Sequence, residues 1–175
     1  SPLFNLELHD ENDEQVEIGE EGELCFKLED GPNPGLFKDY VNDEEKYKQQ
    51  IHDGYYHCGD TAWVDEDGYV HFVGRNDDII KSSGYRIGPF EIESVIMELP
   101  YVLECAVSPA PDEIRGQVVK ASIVLTKGTV GTEELKKEIQ NYVKEKTAPY
   151  KYPRIVEFKT ELPKTISGKI QRNKL

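Results

Sequence analysis

The chain has 175 residues, 37% hydrophobic and 31% charged, enough for one or two small cores and too ordered in composition for general disorder. No apolar run approaches the roughly 18 residues needed to cross a bilayer. The opening SPLFNLELHDENDE lacks the basic and apolar regions of a secretory leader, so a cytoplasmic setting is the expectation. A net charge of −13 argues against general nucleic-acid binding, because a phosphate backbone attracts clustered Lys and Arg.

In chain order, LFNLELHD alternates like a strand, GELCFKL reads as a second, and residues 42–51 form a short helix opened by an Asn cap and first-turn acids. TAWVDEDGYVHFVG reads as a hairpin turning at Asp67 and Gly68. This first part is mostly β. IIKSSGYRI is then expected as a second hairpin, 89–99 as a helix opened by proline, and ECAVSPA and QVVKASIVL as strands. TEELKKEIQNYVKEKT carries Leu135, Ile139, Tyr142 and Val143 at helical spacing. RIVEF follows as a strand and PKTISGK as a loop. The order ββαββαβ predicts an α+β fold in which helices flank a small three-stranded sheet with an added hairpin.

Charge is unevenly spread. Residues 1–60 hold 17 acids against 4 Lys and Arg, whereas residues 144–175 hold 9 Lys and Arg against 3 acids. Such an island is either a solvated face balancing the rest or a surface for a phosphate-bearing small molecule. Cys25, Cys58 and Cys105 are odd in number, far apart and without a second Cys or His at ligand spacing, so structural thiols are expected. His52 and His57 lie close together, but nothing nearby in sequence completes a metal site, and none is expected.

Two glycine-containing polar loops, SSGYRIG and PKTISGK, suit either turns or anions, and neither is a Walker loop. Taken with others, they say more. GYYHCGD (54–60), GRNDDIIKSSGYRIGPFEIE (74–93), YKYPR (150–154) and PKTISGK (163–169), in this order, resemble the adenylate-forming superfamily, and within it the medium-chain acyl-CoA synthetase group. The likeness spans essentially the whole chain. The family's Ser/Thr/Gly-rich phosphate loop and its aromatic-Gly-x-Thr-Glu motif are not in this sequence, so the resemblance implies the C-terminal third of a larger enzyme, inactive alone.

The resemblance implies residues 1–76 as the β-rich end of the large domain and 77–175 as a small mobile domain. It implies ATP/AMP contacts at Asp60, Arg75 and Arg86, with the role of Arg86 open between nucleotide and substrate, and a hinge at Asp77. Cys58 departs from the small hydroxyl residue often found before Gly-Asp. Lys169 matches the lysine that serves adenylation. Ser83, Gly84 and Tyr85 match the pantetheine tunnel, and Arg115, Lys144, Tyr152, Pro153 and Arg154 fall where relatives contact the CoA nucleotide; Tyr152 and Pro153 fit a core role equally. The implied partners are a carboxylic acid, ATP, CoA and the large domain, with Mg²⁺ bound mainly by that domain. The alternatives are a ligase that loads a carrier protein and a stand-alone binding module.

Overall fold

A computed structural model of the chain describes residues 5–28, 35–37 and 40–175. The chain divides between Asp77 and Asp78 into two compact units. The expected first strand began at Leu3; Leu3 and Phe4 lie outside the described residues.

The first unit is a five-stranded antiparallel sheet. Strands β1 (Leu6–His9), β2 (Gly22–Lys27), β4 (Tyr55–Val64) and β3 (Ile51–His52) lie in that order, and β5 (Val70–Arg75) pairs with β4. A short helix α1 (Glu44–Gln49) precedes β3. Its cap is Asp43, whose side chain accepts from the Lys46 backbone N–H, and not Asn42, which takes φ 62° one residue earlier. The β4–β5 hairpin turns where expected. Asp65 accepts from the backbone N–H groups of Asp67 and Tyr69, and Gly68 supplies the positive φ of 83°.

The second unit is α+β, with strands β6 (Ile80–Ser82), β7 (Tyr85–Ile87), β8 (Val102–Asp112), β9 (Gly116–Leu125) and β10 (Ile155–Lys159) and helices α2 (Pro89–Met97) and α3 (Glu133–Lys146). β8, β9 and β10 form the three-stranded core sheet, β8 antiparallel and β10 parallel to β9. The β6–β7 hairpin joins this sheet where Ser82 pairs with Gly116. β9 therefore has neighbours on both edges, and its run VVKASIVL is buried on both faces over most of its length.

Helix α2 opens on Pro89, which needs no intrahelical N–H partner, and buries Ile92 and Ile96. Helix α3 is capped by Thr132, has acids in its first turn and lysines in its last, and buries Ile139 and Val143. These side chains meet Ile80, Ile87, Val107, Val119 and Ile123 in one core.

Gly131, just ahead of α3, marks how closely that core is packed. A Cβ built there would stand 2.3 Å from Cδ2 of Phe158 on β10. Gly131→Ala is therefore expected to destabilise the second unit by about 1–3 kcal/mol through overpacking. Urea denaturation should show the loss, and Phe158→Leu in the same chain should recover part of it.

Candidate functional site

The residues singled out from the sequence fall into three groups. Asp60 on β4 and Arg75 on β5 are direct cross-strand partners, beside an irregularity in the pairing at Thr61/Ala62. Arg75 Nη1 stands 3.5 Å from Asp60 Oδ1 and donates to the Cys58 carbonyl at 3.3 Å, while Nε donates to Asp77 Oδ1 at 3.2 Å. Burial opposes the Arg75 charge, but the Asp77 hydrogen bond and the Asp77 and Asp60 charges outweigh it, and the group is held above its ordinary value.

Gly59 is a residue that motif reading passes over. Its φ is 78°, and a Cβ there would come within 3.0 Å of Arg75 Nη2. The glycine lets the guanidinium lie across the β4 backbone, leaving a forked donor beside a carboxylate acceptor.

The second group gathers at the start of β9. Ser83 (φ 50°) and Gly84 (φ 85°) form the tight turn of the β6–β7 hairpin, so turn geometry alone requires the glycine, and open space surrounds it. The Ser83 N–H donates to the Arg115 carbonyl at 3.1 Å. Tyr85 stacks on Tyr150 with centroids 4.1 Å apart and planes at 14°. Lys81 and Arg86 face each other across the hairpin, and no ion pair of either is found among the described residues. Two like charges in register attract an anion.

Further along, the Lys144 ammonium and the Arg154 guanidinium lie 5.5 and 5.1 Å from the Tyr152 ring centre. Arg115 and Arg154 both lower the Asp112 carboxyl, foremost through the hydrogen bond from the Arg115 backbone N–H, and this links the hairpin tip to the Tyr152 cluster. Pro153, for which the sequence leaves a core role and a ligand contact equally open, is fully buried, and its carbonyl accepts from the Gln140 side chain at 3.0 Å. Tyr152 is half-buried against the same core, with ring and cations on one side chain cluster.

The third group is the tail loop. The Thr165 N–H donates to the Lys169 carbonyl at 2.8 Å, the Lys169 N–H donates to Thr165 Oγ1 at 3.1 Å, and Gly168 takes φ 85°. Lys164 pairs with Ile170 at the base. Lys169 is exposed, and no ion pair of its ammonium is found among the described residues.

His52 and His57 gain a third neighbour that the sequence does not place near them. Asp13 arrives by pairing of β1, β2 and β4, and one ligand atom from each of the three lies within 4.8 Å of the others. The two imidazoles, however, are stacked 3.7 Å apart at 16°. Their in-plane lone pairs run side by side and do not converge on one ion.

All three cysteines are free. Burial, with help from Glu23, pushes Cys25 up to about 12, and burial chiefly pushes Cys58 up to about 11; burial raises Cys105 further still. At pH 8 an aromatic disulfide reagent should label the folded chain very slowly and all three thiols rapidly in urea. The sign of the pH dependence follows. Above the ordinary thiol value of 9.0 the unfolded chain loses protons that the folded chain keeps, so stability should fall from pH 9 towards 11. Cys58→Ser should flatten part of that slope.

Residues 91–169 match the model of the AMP-binding enzyme C-terminal domain. The chain is 51% identical to the mitochondrial acyl-coenzyme A synthetase ACSM3 of Rattus norvegicus, over 100% of this chain and 30% of that protein. It is also 51% identical to 4-hydroxybutyrate–CoA ligase 1 of Metallosphaera sedula, over 99% of this chain and 31% of that one. The relatives to which the chain is similar are acyl-CoA synthetases and CoA ligases of the adenylate-forming kind. Among solved structures, the anthranilate CoA ligase AuaEII in complex with anthranoyl-AMP is similar at a TM-score of 0.85 and 38% identity, covering 98% of this chain and 32% of that one. The o-succinylbenzoate CoA synthetase of Bacillus subtilis, in complex with its acyl-adenylate intermediate, is similar at 0.83 and 31% identity, covering 97% of this chain and 33% of that one. The chain thus spans about a third of the length of these relatives.

Proposed function

We propose that this chain is the C-terminal portion of an ATP-dependent acid–thiol ligase that makes acyl-AMP and then transfers the acyl group to CoA. The observation that carries the reading is that the second unit presents both an exposed lysine on a glycine-closed loop and, on other elements, cations set against aromatic rings. The lysine suits the first step of a two-step reaction and the cations and rings the second.

In the first step, the acid's carboxylate oxygen attacks the α-phosphorus of ATP, and the bond to the bridging oxygen breaks to release pyrophosphate. Negative charge grows on the phosphoryl and carboxylate oxygens, and the Lys169 ammonium is the cation that meets it. Asp60 accepts from the ribose hydroxyls and Arg75 donates to them. Arg86, with Lys81 opposite, is assigned to a phosphate. In the second step the CoA sulfur attacks the acyl carbonyl and AMP leaves. The Ser83–Gly84–Tyr85 turn lines the pantetheine path, and Arg115, Lys144 and Arg154 take the CoA phosphates, with the Tyr152 ring for adenine.

Asp77 is assigned as the hinge, supported by the division of the chain beside it. Mg²⁺ is assigned to residues outside this chain: the three-ligand group among the described residues carries two imidazoles, which suit that ion poorly. Fatty acid metabolism in the cytoplasm completes the reading. Among the described residues no helix is long and apolar enough to cross a membrane, and the rat relative carries a mitochondrial name.

Two rates in the full-length enzyme test the lysine. Lys169→Ala should slow adenylation roughly 100-fold or more, as loss of one oxyanion donor does, and leave thioester formation from supplied acyl-AMP near normal. Pyrophosphate exchange and thioester release measure the two steps, and equal loss in both would overturn the assignment. The cations and rings separate free CoA from a carrier arm. Lys144→Ala with Arg154→Ala should raise KM for CoA roughly tenfold or more through lost charge-assisted contacts. The same variant should be indifferent to pantetheine, which lacks the nucleotide. An equal loss with both acceptors would favour the carrier-loading alternative.

A further inference from the structure

The loop of Lys169 is tied down by a residue to which neither the motifs nor the proposed chemistry gives a role. Arg172, in a 3-10 turn over Arg172–Lys174, donates from Nε and Nη2 to Glu93 of α2 at 2.9–3.1 Å and from Nη1 to Asp78 Oδ2 at 3.0 Å. The three side chains are only 15%, 12% and 21% exposed, and the guanidinium also lies 5.3 Å from the Phe90 ring centre. Glu93 Oε1 further accepts the Val107 N–H of β8 at 2.8 Å.

Two carboxylates, one guanidinium and a β8 amide thus form one partly buried network, and it contrasts with Lys169 three residues earlier, which is exposed and has no ion pair among the described residues. The base of the intervening loop is also fixed. The Gln171 N–H donates to the Pro163 carbonyl at 2.9 Å, and Leu162, with Ile170 and Leu175 beside it, packs on Ala106 and Val124. Asp78 directly follows Asp77.

We infer that Arg172 is a positioning residue that pins the Lys169 loop to the segment following Asp77, so that Lys169 reaches the reacting phosphate at a set place. This rests on the proposed role of Lys169. Burying an ion triad is a poor way to gain stability, since desolvation consumes much of the attraction. A fork that grips two carboxylates in fixed geometry is a good way to hold an orientation. A surface lysine on a loop free to move by an ångström would lose much of its effect on the barrier.

The test uses the full-length ligase and the two half-reaction rates. Arg172→Ala and the milder Asp78→Asn should slow adenylation, the first by about 10- to 100-fold, with unchanged thioester release from supplied acyl-AMP. Arg172→Lys, which keeps the charge but not the fork, should fall between. The Lys169→Ala/Arg172→Ala double variant should be no slower than Lys169→Ala, because a residue acting through Lys169 has nothing to lose once it is gone. Amide hydrogen exchange at 163–171 should quicken in Arg172→Ala. Should Arg172→Ala unfold the enzyme, Asp78→Asn decides alone. Equal loss in both half-reactions, additive loss in the double variant, or no loss in Asp78→Asn and Arg172→Ala overturns the inference while leaving Lys169 in place. Normal adenylation by Lys169→Ala overturns the proposed function and this inference with it.

Discussion

Strand β9 must satisfy backbone donors and acceptors along both of its edges while both of its faces are buried, and the layout of the second unit follows from that demand. Along one edge it takes β8 for its full length. Along the other it takes β10 opposite Lys120–Val124 and, at its first residue, the β6–β7 hairpin through Ser82. Even the gap between them is used: the Arg154 N–H donates to the Val119 carbonyl at 2.9 Å. The hairpin turn, Arg115 and Arg154 are brought together because a single strand needs partners at those places.

The same demand explains why the candidate functional groups are exposed while their backbones are fixed. Turns at Gly84 and Gly168 have positive φ and close hydrogen-bonded loops, so Tyr85 and Lys169 sit on backbone that is determined while their side chains point away from the core. The core beneath is branched and aliphatic, with Ile80, Ile87, Ile92 and Ile123 fully buried. Such side chains have few rotamers, and a surface built on them shifts little.

Much of this was legible in the sequence, and the exceptions share a cause. Hairpin turns at Asp67–Gly68 and Ser83–Gly84, the proline-opened helix and the stripe of α3 are local signals, and local signals predict local structure. The helix cap fell one residue from its expected place because Asn and Asp are adjacent and both cap well. The misses are contacts between distant residues. Asp13 meets His52 and His57 only through strand pairing, and Gly59 makes room for a guanidinium 16 positions on. Arg172 reads as one more cation in a basic tail, yet it has two carboxylate partners far back in the chain.

The basic tail therefore divides into cations of different purpose, a distinction that net charge hides. Arg172 is neutralised within the fold, as is Lys164 by Glu104, and Lys151 pairs with Glu91. Lys144 and Arg154 lie against an aromatic ring, which keeps their charge available to an anion while holding their side chains in place. Lys169 has neither carboxylate nor ring as a partner among the described residues. A cation that must meet charge developing in a reaction is best left unpaired on fixed backbone, since a resident carboxylate would have to be displaced first.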